Sequence, residues 1–419
     1  IYILYYYFGP PSNEAAKDPK PQPAVVEEGM ISEEPPVVLD EGVEEPPEEI
    51  LETLGIGVAS ADPAGLIAQI ADKLKAGDLD AAIRIIGRDG LTPQKEARLA
   101  ELMQEARFQL DEKNPIREVG ELEIDRRSRW ALKLRDEGQL YFDLARGRDA
   151  KWRVERVILP EDSGPEGIPR AVLVDALGIA DAFLQATLRQ DFETAKSFAA
   201  LEQISDARIA GLCIIFEEGE YRMRRKNPLR GLYNRGTTAA FLANLVDRDG
   251  DKAAQFGVNL ARSDESSPWR VTEINLDALL ADYANRVAGG DVYYTPLLKN
   301  PNGGDTIVLY FEFDEDALAL RSKRQLGIVA RVLATDPERK IRISGHTDAL
   351  GSEEYNRGLS QERAESVRRH LVECGVGTDQ VVTQALGKSR PRLPNQTASG
   401  EDNPTGRRAN RRTEIYLDF

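Results

Sequence analysis

Hydrophobic positions along the chain first follow the spacing of helices and then that of strands. Leu66, Ile67, Ile70 and Leu74 recur at helical intervals, which predicts a helix that begins at Pro63 and is capped by Ser60 or Asp62. A second helix over 80–86 and a third over about 93–110 follow. Strand-like runs come next, at 120–125, 129–135, 138–146 and 151–159.

This order of elements then occurs a second time. Ala-Gly-Asp-Leu-Asp-Ala-Ala at 76–82 resembles Arg-Gln-Asp-Phe-Glu-Thr-Ala at 189–195, and Leu-Ala-Arg precedes a Trp-Arg-Val strand in both halves. Asp78 and Asp191 lie 113 residues apart, and Trp152 and Trp269 lie 117 apart. We therefore predict two tandem α+β modules, a first module over 59–162 and a second module over 166–290.

Helices followed by antiparallel strands ending in a tryptophan-containing strand resemble the cystatin-like α+β cone of ketosteroid isomerase and nuclear transport factor relatives. In that family a curved sheet wraps a long helix and leaves a pocket at its mouth. Some members use an Asp general base there, but no residue here carries such a signature. Trp130, Trp152 and Trp269 are interpreted as core residues, and both modules as structural or binding units.

The C-terminal pattern alternates strands and helices. Thr306 to Phe313 is rich in β-branched and aromatic residues, which favours a strand, and Asp314 is expected to open a helix whose buried face holds Leu326, Val329 and Leu333. A strand over 340–344, a helix over 353–374, a strand over 381–386 and a closing strand over 413–417 follow. This βαβαβ order with one more strand predicts a small mixed sheet with helices packed on one face.

Three motifs in this region match a known family. They are Gly-His-Thr-Asp at 345–348, the Asn-x-x-Leu-Ser-x-x-Arg-Ala-x-x-Val pattern that starts at Asn356, and Asn-Arg-Arg-Thr-Glu at 410–414. In order and spacing they resemble the OmpA-like C-terminal domain over about 300–419, and we predict that this domain covers 296–419. The resemblance implies non-covalent binding of peptidoglycan through the diaminopimelate of its stem peptide.

The resemblance also implies which residues hold that ligand. Asp348 and Arg363 occupy the gripping positions, Thr347, Asn356 and Leu359 line the same groove, and Asn410 lies nearby. Two positions depart from the family pattern. Glu312 stands where many members have Asp or Asn, which puts a secondary ligand contact in doubt, and Thr413 replaces the usual Val, which affects packing alone.

The chemistry of the ligand supports the pair of gripping residues independently. The free end of diaminopimelate carries an ammonium and a carboxylate on one carbon, so its recognition needs one anionic and one cationic partner. Asp348 can accept from the ammonium, and Arg363 can meet the carboxylate bidentately, which a lysine could not do. The alternative is that Asp348 and Arg363 pair with each other as a loop staple.

Two other features of this region invite functional readings that we do not favour. The sequence shows no Ser or Cys nucleophile with a matching acid that would make His346 part of a catalytic triad. His346 is therefore interpreted as a strand-end residue. The basic cluster Arg407, Arg408, Arg411 and Arg412 is expected to form local salt bridges, because residues 300–419 hold 18 acidic and 18 basic side chains.

The composition of the chain argues against several classes of function. The chain has 419 residues and a net charge of −16, which argues against nucleic-acid binding. Two Cys and two His exclude a Cys/His zinc cluster and a disulfide scaffold, and no bridge between Cys213 and Cys374 is expected. No metal or cofactor is implied.

The N-terminal region differs in character from the rest. Residues 10–58 hold nine Pro and thirteen acidic residues, which predicts a disordered acidic tether. Residues 1–9 are aromatic and uncharged, which favours the end of a membrane anchor whose beginning is missing; a trimmed signal peptide or a fragment boundary is the alternative.

These features together predict a periplasmic, membrane-anchored protein of the cell envelope that binds the wall without catalysis, and that can form a homodimer. Which membrane holds the anchor stays open. One alternative is an envelope enzyme or ligand-binding protein with its site in a middle module, which a buried carboxylate with a raised pKa would favour. Another is a stator-like subunit of an ion-driven membrane complex, which the sequence upstream of Ile1 would decide.

Overall fold

A computed structural model describes residues 57–104, 109–112, 115–135, 138–160, 168–250, 253–287, 295–299 and 305–417. The predicted anchor at 1–9 and nearly all of the predicted tether lie outside these ranges. Among the residues described, no helix combines the length and the apolar composition needed to cross a membrane.

The first module consists of three helices followed by a four-stranded sheet. The helices are α1 (Pro63–Lys75), α2 (Leu79–Ile86) and α3 (Pro93–Gln104), and the strands are β1 (Ile116–Glu123), β2 (Arg127–Lys133), β3 (Gln139–Arg146) and β4 (Trp152–Ile158). All neighbouring strands are antiparallel, in the order β1-β2-β3-β4. As predicted, α1 begins at Pro63, and the Asp62 carboxylate accepts from the Ala64 backbone amide at 3.1 Å.

The second module repeats this plan with added elements. It contains α4 (Ala176–Leu188), α5 (Phe192–Phe198) and α6 (Asp206–Glu218), then β5 (Arg222–Met223), β6 (Leu229–Arg235), β7 (Thr238–Val246), β8 (Ala253–Ala261) and β9 (Arg270–Asn275), and finally α7 (Asp277–Val287). The strands pair antiparallel in the order β5-β7-β8-β9, with β6 also on β7.

The repeated sequence motifs have the same local structure in both modules. Asp78 caps α2 and Asp191 caps α5, and the residue before each cap has a positive φ, 75° and 57°. At the other motif, the guanidinium of Arg146 lies 5.9 Å from the Trp152 ring centroid, and that of Arg262 lies 4.7 Å from the Trp269 centroid. These equivalences support a duplication, while the cystatin-like cone stays a prediction.

The C-terminal domain is a five-stranded sheet with helices on one face. Its elements are β10 (Leu297–Lys299), β11 (Asp305–Tyr310), α8 (Leu320–Ala334), β12 (Ile341–His346), α9 (Glu353–Glu373), β13 (Val381–Gly387), α10 (Pro404–Asn410) and β14 (Arg412–Tyr416). The strand order is β10-β11-β14-β12-β13, with β12 and β13 parallel and the other neighbours antiparallel.

Three details of this domain differ from the sequence prediction. The helix expected at Asp314 begins at Leu320, because Asp314 has a φ of 58° and belongs to a loop. The last strand, β14, does not close the sheet at an edge but lies inside it between β11 and β12. Strand β10 and helix α10 were not predicted.

One hydrophobic core connects the three sheets. Val119, Ala131 and Tyr141 of the first sheet belong to the same buried cluster as Phe183 of α4 and Leu326 of α8. The first sheet is therefore covered by its own helices on one face and by the second module on the other. Trp130 and Trp269 are buried in these cores, as predicted.

Ion pairs reinforce the contact between the two modules and the contact between the second module and the C-terminal sheet. Arg129 is fully buried and contacts Asp143 at 2.6 Å and Asp175 at 2.8 Å, which links the first sheet to the start of α4. Arg208 of α6 pairs with Asp305 of β11 at 2.9 Å. The predicted end of the first module at 162, the start of the second at 166 and its end at 290 lie outside the described residues. These boundaries stay predictions.

Candidate functional site

The Gly-His-Thr-Asp motif lies where strand β12 ends, and its residues face both sides of the sheet. A Cβ on Gly345 would lie 2.0 Å from the Ser360 carbonyl oxygen, so glycine is needed for α9 to pack on the strand. Thr347 and Asp348 then line a cavity at this end of the sheet. His346, between them and the glycine, lines the opposite face.

We call this space the end cavity. Its volume is about 240 Å³, and it is bounded by the loop after β11, the end of β12, the start of α9 and the residue before β14. It is lined by Phe313, Asp314, Thr347, Asp348, Leu350, Gly351, Tyr355, Asn356, Leu359, Arg363 and Arg411. Two guanidinium groups and two carboxylates thus face one small space.

Arg363 provides a buried positive charge at the wall of the end cavity. Its side chain is 0% exposed, and its guanidinium donates to the backbone carbonyls of Glu315 at 2.8 Å, His346 at 3.0 Å and Glu312 at 3.1 Å. Within the described ranges, no carboxylate forms an ion pair with it. Burial and the neighbouring Arg411 lower its pKa to about 10, so it stays charged near neutral pH.

The Arg363 guanidinium has N–H donors that a ligand could use. A guanidinium has five N–H donors, and three are used by the carbonyls. A buried cation without an anionic partner is costly, so the cavity is suited to an anion.

Asp348 supplies the negative counterpart. Its carboxylate contacts Arg411 at 3.2 Å and Arg407 at 3.7 Å, and it accepts from the Leu350 backbone amide at 3.1 Å. It forms no ion pair with Arg363 in the described structure, so the alternative of a staple between the two residues is wrong. Both side chains line the end cavity instead.

The other predicted groove residues have separate roles. The Thr347 hydroxyl is buried and, within the described structure, has no hydrogen-bond partner. Asn356 is 1% exposed and donates to the Leu350 and Ser352 carbonyls at 2.8 and 3.0 Å, which fixes the loop before α9. Leu359 contributes an apolar wall.

Glu312 and Asn410 do not join the end cavity. The Glu312 side chain is exposed, and only its backbone carbonyl takes part, by accepting from Arg363. Asn410 is fully buried and accepts from the backbone amides of Arg392 and Leu393 at 2.6 and 3.1 Å. Asn410 therefore shapes the neighbouring loop.

Sequence reasoning missed several residues of the cavity wall. Asp314 was interpreted as a helix start, yet it accepts a hydrogen bond from the Tyr355 hydroxyl across the cavity mouth. Phe313 and Leu350 are 56% and 49% exposed, which is unusual for apolar side chains, and they form the rim. Arg411 belongs to a basic cluster whose individual roles the sequence does not separate.

That basic cluster forms local pairs, as predicted. Arg407 contacts Asp402 at 2.8 Å as well as Asp348, and Arg412 contacts Glu414 at 2.7 Å. Cys213 is buried and Cys374 is exposed, and both are free thiols in the described structure.

Two carboxylates of the middle modules have the raised pKa values that an enzyme site would need, and both serve packing contacts. Burial raises the pKa of Glu118, which accepts from the Asn227 backbone amide at 3.1 Å between the two modules. Burial also raises the pKa of Glu218, which pairs with Arg321 of α8 at 2.9 Å. Each therefore joins neighbouring parts of the fold.

Comparison with known proteins identifies the C-terminal region. Residues 310–405 match the OmpA family, so this region is an OmpA-family domain. Outer membrane protein A of Bordetella avium is 38% identical over 109 residues, which are 26% of this chain and 53% of that protein. The peptidoglycan-associated lipoprotein of Pseudomonas aeruginosa is 37% identical over 106 residues, which are 25% of this chain and 59% of that protein.

A crystal structure of the peptidoglycan-associated lipoprotein from Burkholderia pseudomallei is 34% identical, covers 26% of this chain and 89% of that one, and has a TM-score of 0.24. The chain spans little more than half the length of the two curated relatives, outer membrane protein A and the lipoprotein of Pseudomonas aeruginosa.

Proposed function

We propose that the C-terminal domain binds peptidoglycan non-covalently by holding the free end of diaminopimelate in the end cavity. The observation that carries this proposal is Arg363, a buried guanidinium that lines the cavity, donates to three backbone carbonyls and forms no ion pair with a carboxylate among the described residues. A carboxylate of the ligand would supply the missing negative charge.

The remaining cavity groups suit the rest of the amino acid terminus. The ligand ammonium would lie against Asp348 and Asp314, and the carboxylate would lie against Arg363 and Arg411. The Thr347 hydroxyl would gain its first hydrogen-bond partner. A lysine at the same position of the stem peptide lacks this second carboxylate, so it would leave Arg363 without an anionic partner among the described residues.

The wider role follows from this binding. Relatives named for the outer membrane and for association with peptidoglycan support a place in the cell envelope. There the protein would tether an anchored chain to the wall without catalysing a reaction. The anchor before residue 10, the acidic tether and a homodimer stay predictions.

Calorimetric titration of the full chain tests the proposal. A muropeptide ending in diaminopimelate is compared with its lysine analogue, using the native chain, Asp348→Asn and the control Asp402→Asn. Both aspartates contact Arg407, but only Asp348 lines the cavity. Loss of a charge-assisted contact, about 1.5–3 kcal/mol, predicts roughly tenfold or weaker binding for Asp348→Asn alone.

Equal binding of the two peptides would contradict the proposal, because the ligand carboxylate would then contribute nothing. Equal binding by Asp348→Asn and Asp402→Asn would contradict it as well, because the cavity carboxylate would then have no part in recognition.

A further inference from the structure

The C-terminal sheet has a second concave surface, on the side that its helices leave uncovered. We call it the open face. Along β12 the side chains of Arg342, Ser344 and His346 point to it, while Ile341 and Ile343 are buried toward the helices. Along β14 the same alternation brings Arg412 and Glu414 to this face. Its volume is about 760 Å³, about three times that of the end cavity.

The charge of the open face is strongly unbalanced. The described residues that line it include five cationic side chains and one carboxylate, whereas acidic and basic side chains are equal in number across 300–419. The cationic ones are Lys299, Arg342, Arg390, Arg392 and Arg412. Glu414 already neutralises Arg412 through contacts of 2.7 and 2.8 Å. Counted over its lining side chains, the open face therefore has more cations than carboxylates.

A buried polar group at the floor of the open face is left unsatisfied. His346 is 1% exposed, and neither ring nitrogen has a hydrogen-bond partner within the described structure. The Glu414 carboxylate lies 3.6 Å from Nε2, beyond hydrogen-bond distance. Native proteins rarely leave a buried imidazole without a partner, so a ligand that accepts from its N–H would complete this site.

We propose that the open face is a second binding site, for an oxyanion carrying at least two negative charges. Guanidinium groups recognise phosphate and carboxylate oxygens through paired N–H donors. The guanidinium groups of Arg390 and Arg392 would donate to the anion from the loop after β13. The His346 ring would donate to it from the sheet. Burial lowers the pKa of His346, which keeps the ring neutral with one N–H to donate.

The two sites share one strand but use different atoms of it. The His346 carbonyl accepts from Arg363 behind the end cavity, whereas the His346 ring lines the open face. Binding at the open face therefore does not depend on the proposed grip on diaminopimelate, and either proposal can fail alone.

The two histidines of the chain provide the test. His370 lies on α9, outside the open face, so its imidazole resonances serve as an internal reference for those of His346. Inorganic pyrophosphate is titrated into the full chain with labelled histidine. We expect a saturable shift of the His346 signal at millimolar pyrophosphate or below, with that of His370 unchanged.

Matched variants locate the anion. Arg390→Ser removes an exposed cation from the open face, and Arg357→Ser removes one from α9 outside it. We expect about tenfold weaker binding for Arg390→Ser and native binding for both Arg357→Ser and Asp348→Asn. Vesicles containing phosphatidylglycerol form a second arm. If they also shift His346, a lipid headgroup is a source of the anion; if only pyrophosphate does so, a free phosphate compound is.

Several results would overturn the proposal. They are no shift of His346, an equal shift of both histidines, or equal affinities of Arg390→Ser and Arg357→Ser. Loss of the shift in Asp348→Asn would overturn it too, because the anion would then lie in the end cavity.

Discussion

Replacing Thr347 by Val is expected to stabilise the protein and weaken ligand binding at the same time. The Thr347 hydroxyl is buried, with 3% of the residue exposed, and lacks a hydrogen-bond partner in the described structure. An unsatisfied buried polar group costs about 1–3 kcal/mol. Val has nearly the same shape without the hydroxyl, so we expect local stability to rise by about 1 kcal/mol.

The same change should reduce affinity for a diaminopimelate peptide. In the proposed complex the hydroxyl bonds to a charged ligand group, a contact of about 1.5–3 kcal/mol, so binding should weaken about tenfold or more. Stability is measured by hydrogen exchange of the β12 amides, which reports the free energy of local opening. Affinity is measured by calorimetric titration.

Thr413→Val is the matched control. Thr413 is fully buried on β14, its hydroxyl also lacks a partner in the described structure, and it does not line the end cavity. This variant should gain similar stability and keep native affinity. Unchanged affinity in Thr347→Val would refute the role of the hydroxyl in binding. A loss of stability in both variants would show that both hydroxyls are satisfied in solution.

Two further predictions concern packing and pH. Arg321→Ala leaves the buried Glu218 carboxyl group without this cationic partner, so we expect a loss of about 3 kcal/mol or more in the free energy of thermal unfolding. Arg324→Ala removes a half-exposed pair and should cost under about 1 kcal/mol; equal losses would contradict this difference. Burial raises the pKa of Glu414, but the Arg412 guanidinium, 2.7 Å from its carboxylate, and the His346 ring, 3.6 Å away, outweigh this and hold the pKa at about 2. Because this pKa is below the ordinary 4.5, the stabilisation should be complete above pH 4.5 and lost as pH falls toward 2. The melting temperatures of the native chain and Glu414→Gln should therefore converge over that range, and a constant difference would argue against it.

Much of the C-terminal fold could be predicted because local signals and tertiary packing agree there. Ser352 caps α9 one residue before the predicted start at Glu353. A continuous β-branched and aromatic run marks β11, and alternating apolar residues mark β12. The position of β14 inside the sheet could not be predicted, because strand order depends on pairing across more than 60 residues of sequence. Local periodicity carries no information on that pairing.

The candidate site could also be predicted only in part from the sequence. The motifs that resemble the OmpA-like domain pointed to Asp348 and Arg363, which both line the end cavity, yet they could not show that three backbone carbonyls hold Arg363. Asp314 was missed because an acidic residue before an apolar stretch is typical of a helix start. In the structure its left-handed backbone places it in the loop that bounds the cavity.

The position of β12 has a mechanical consequence. This strand carries Thr347 and Asp348 at its end and is hydrogen-bonded on both sides, to β13 and β14. A pull on a ligand held by Asp348 along the strand axis would load both rows of bonds in shear, because ladder bonds run across the strands. Many bonds must then yield together, whereas a strand peeled from a sheet edge loses them one at a time. In the proposed complex, a domain built this way would resist tension along β12 without a covalent link to its ligand.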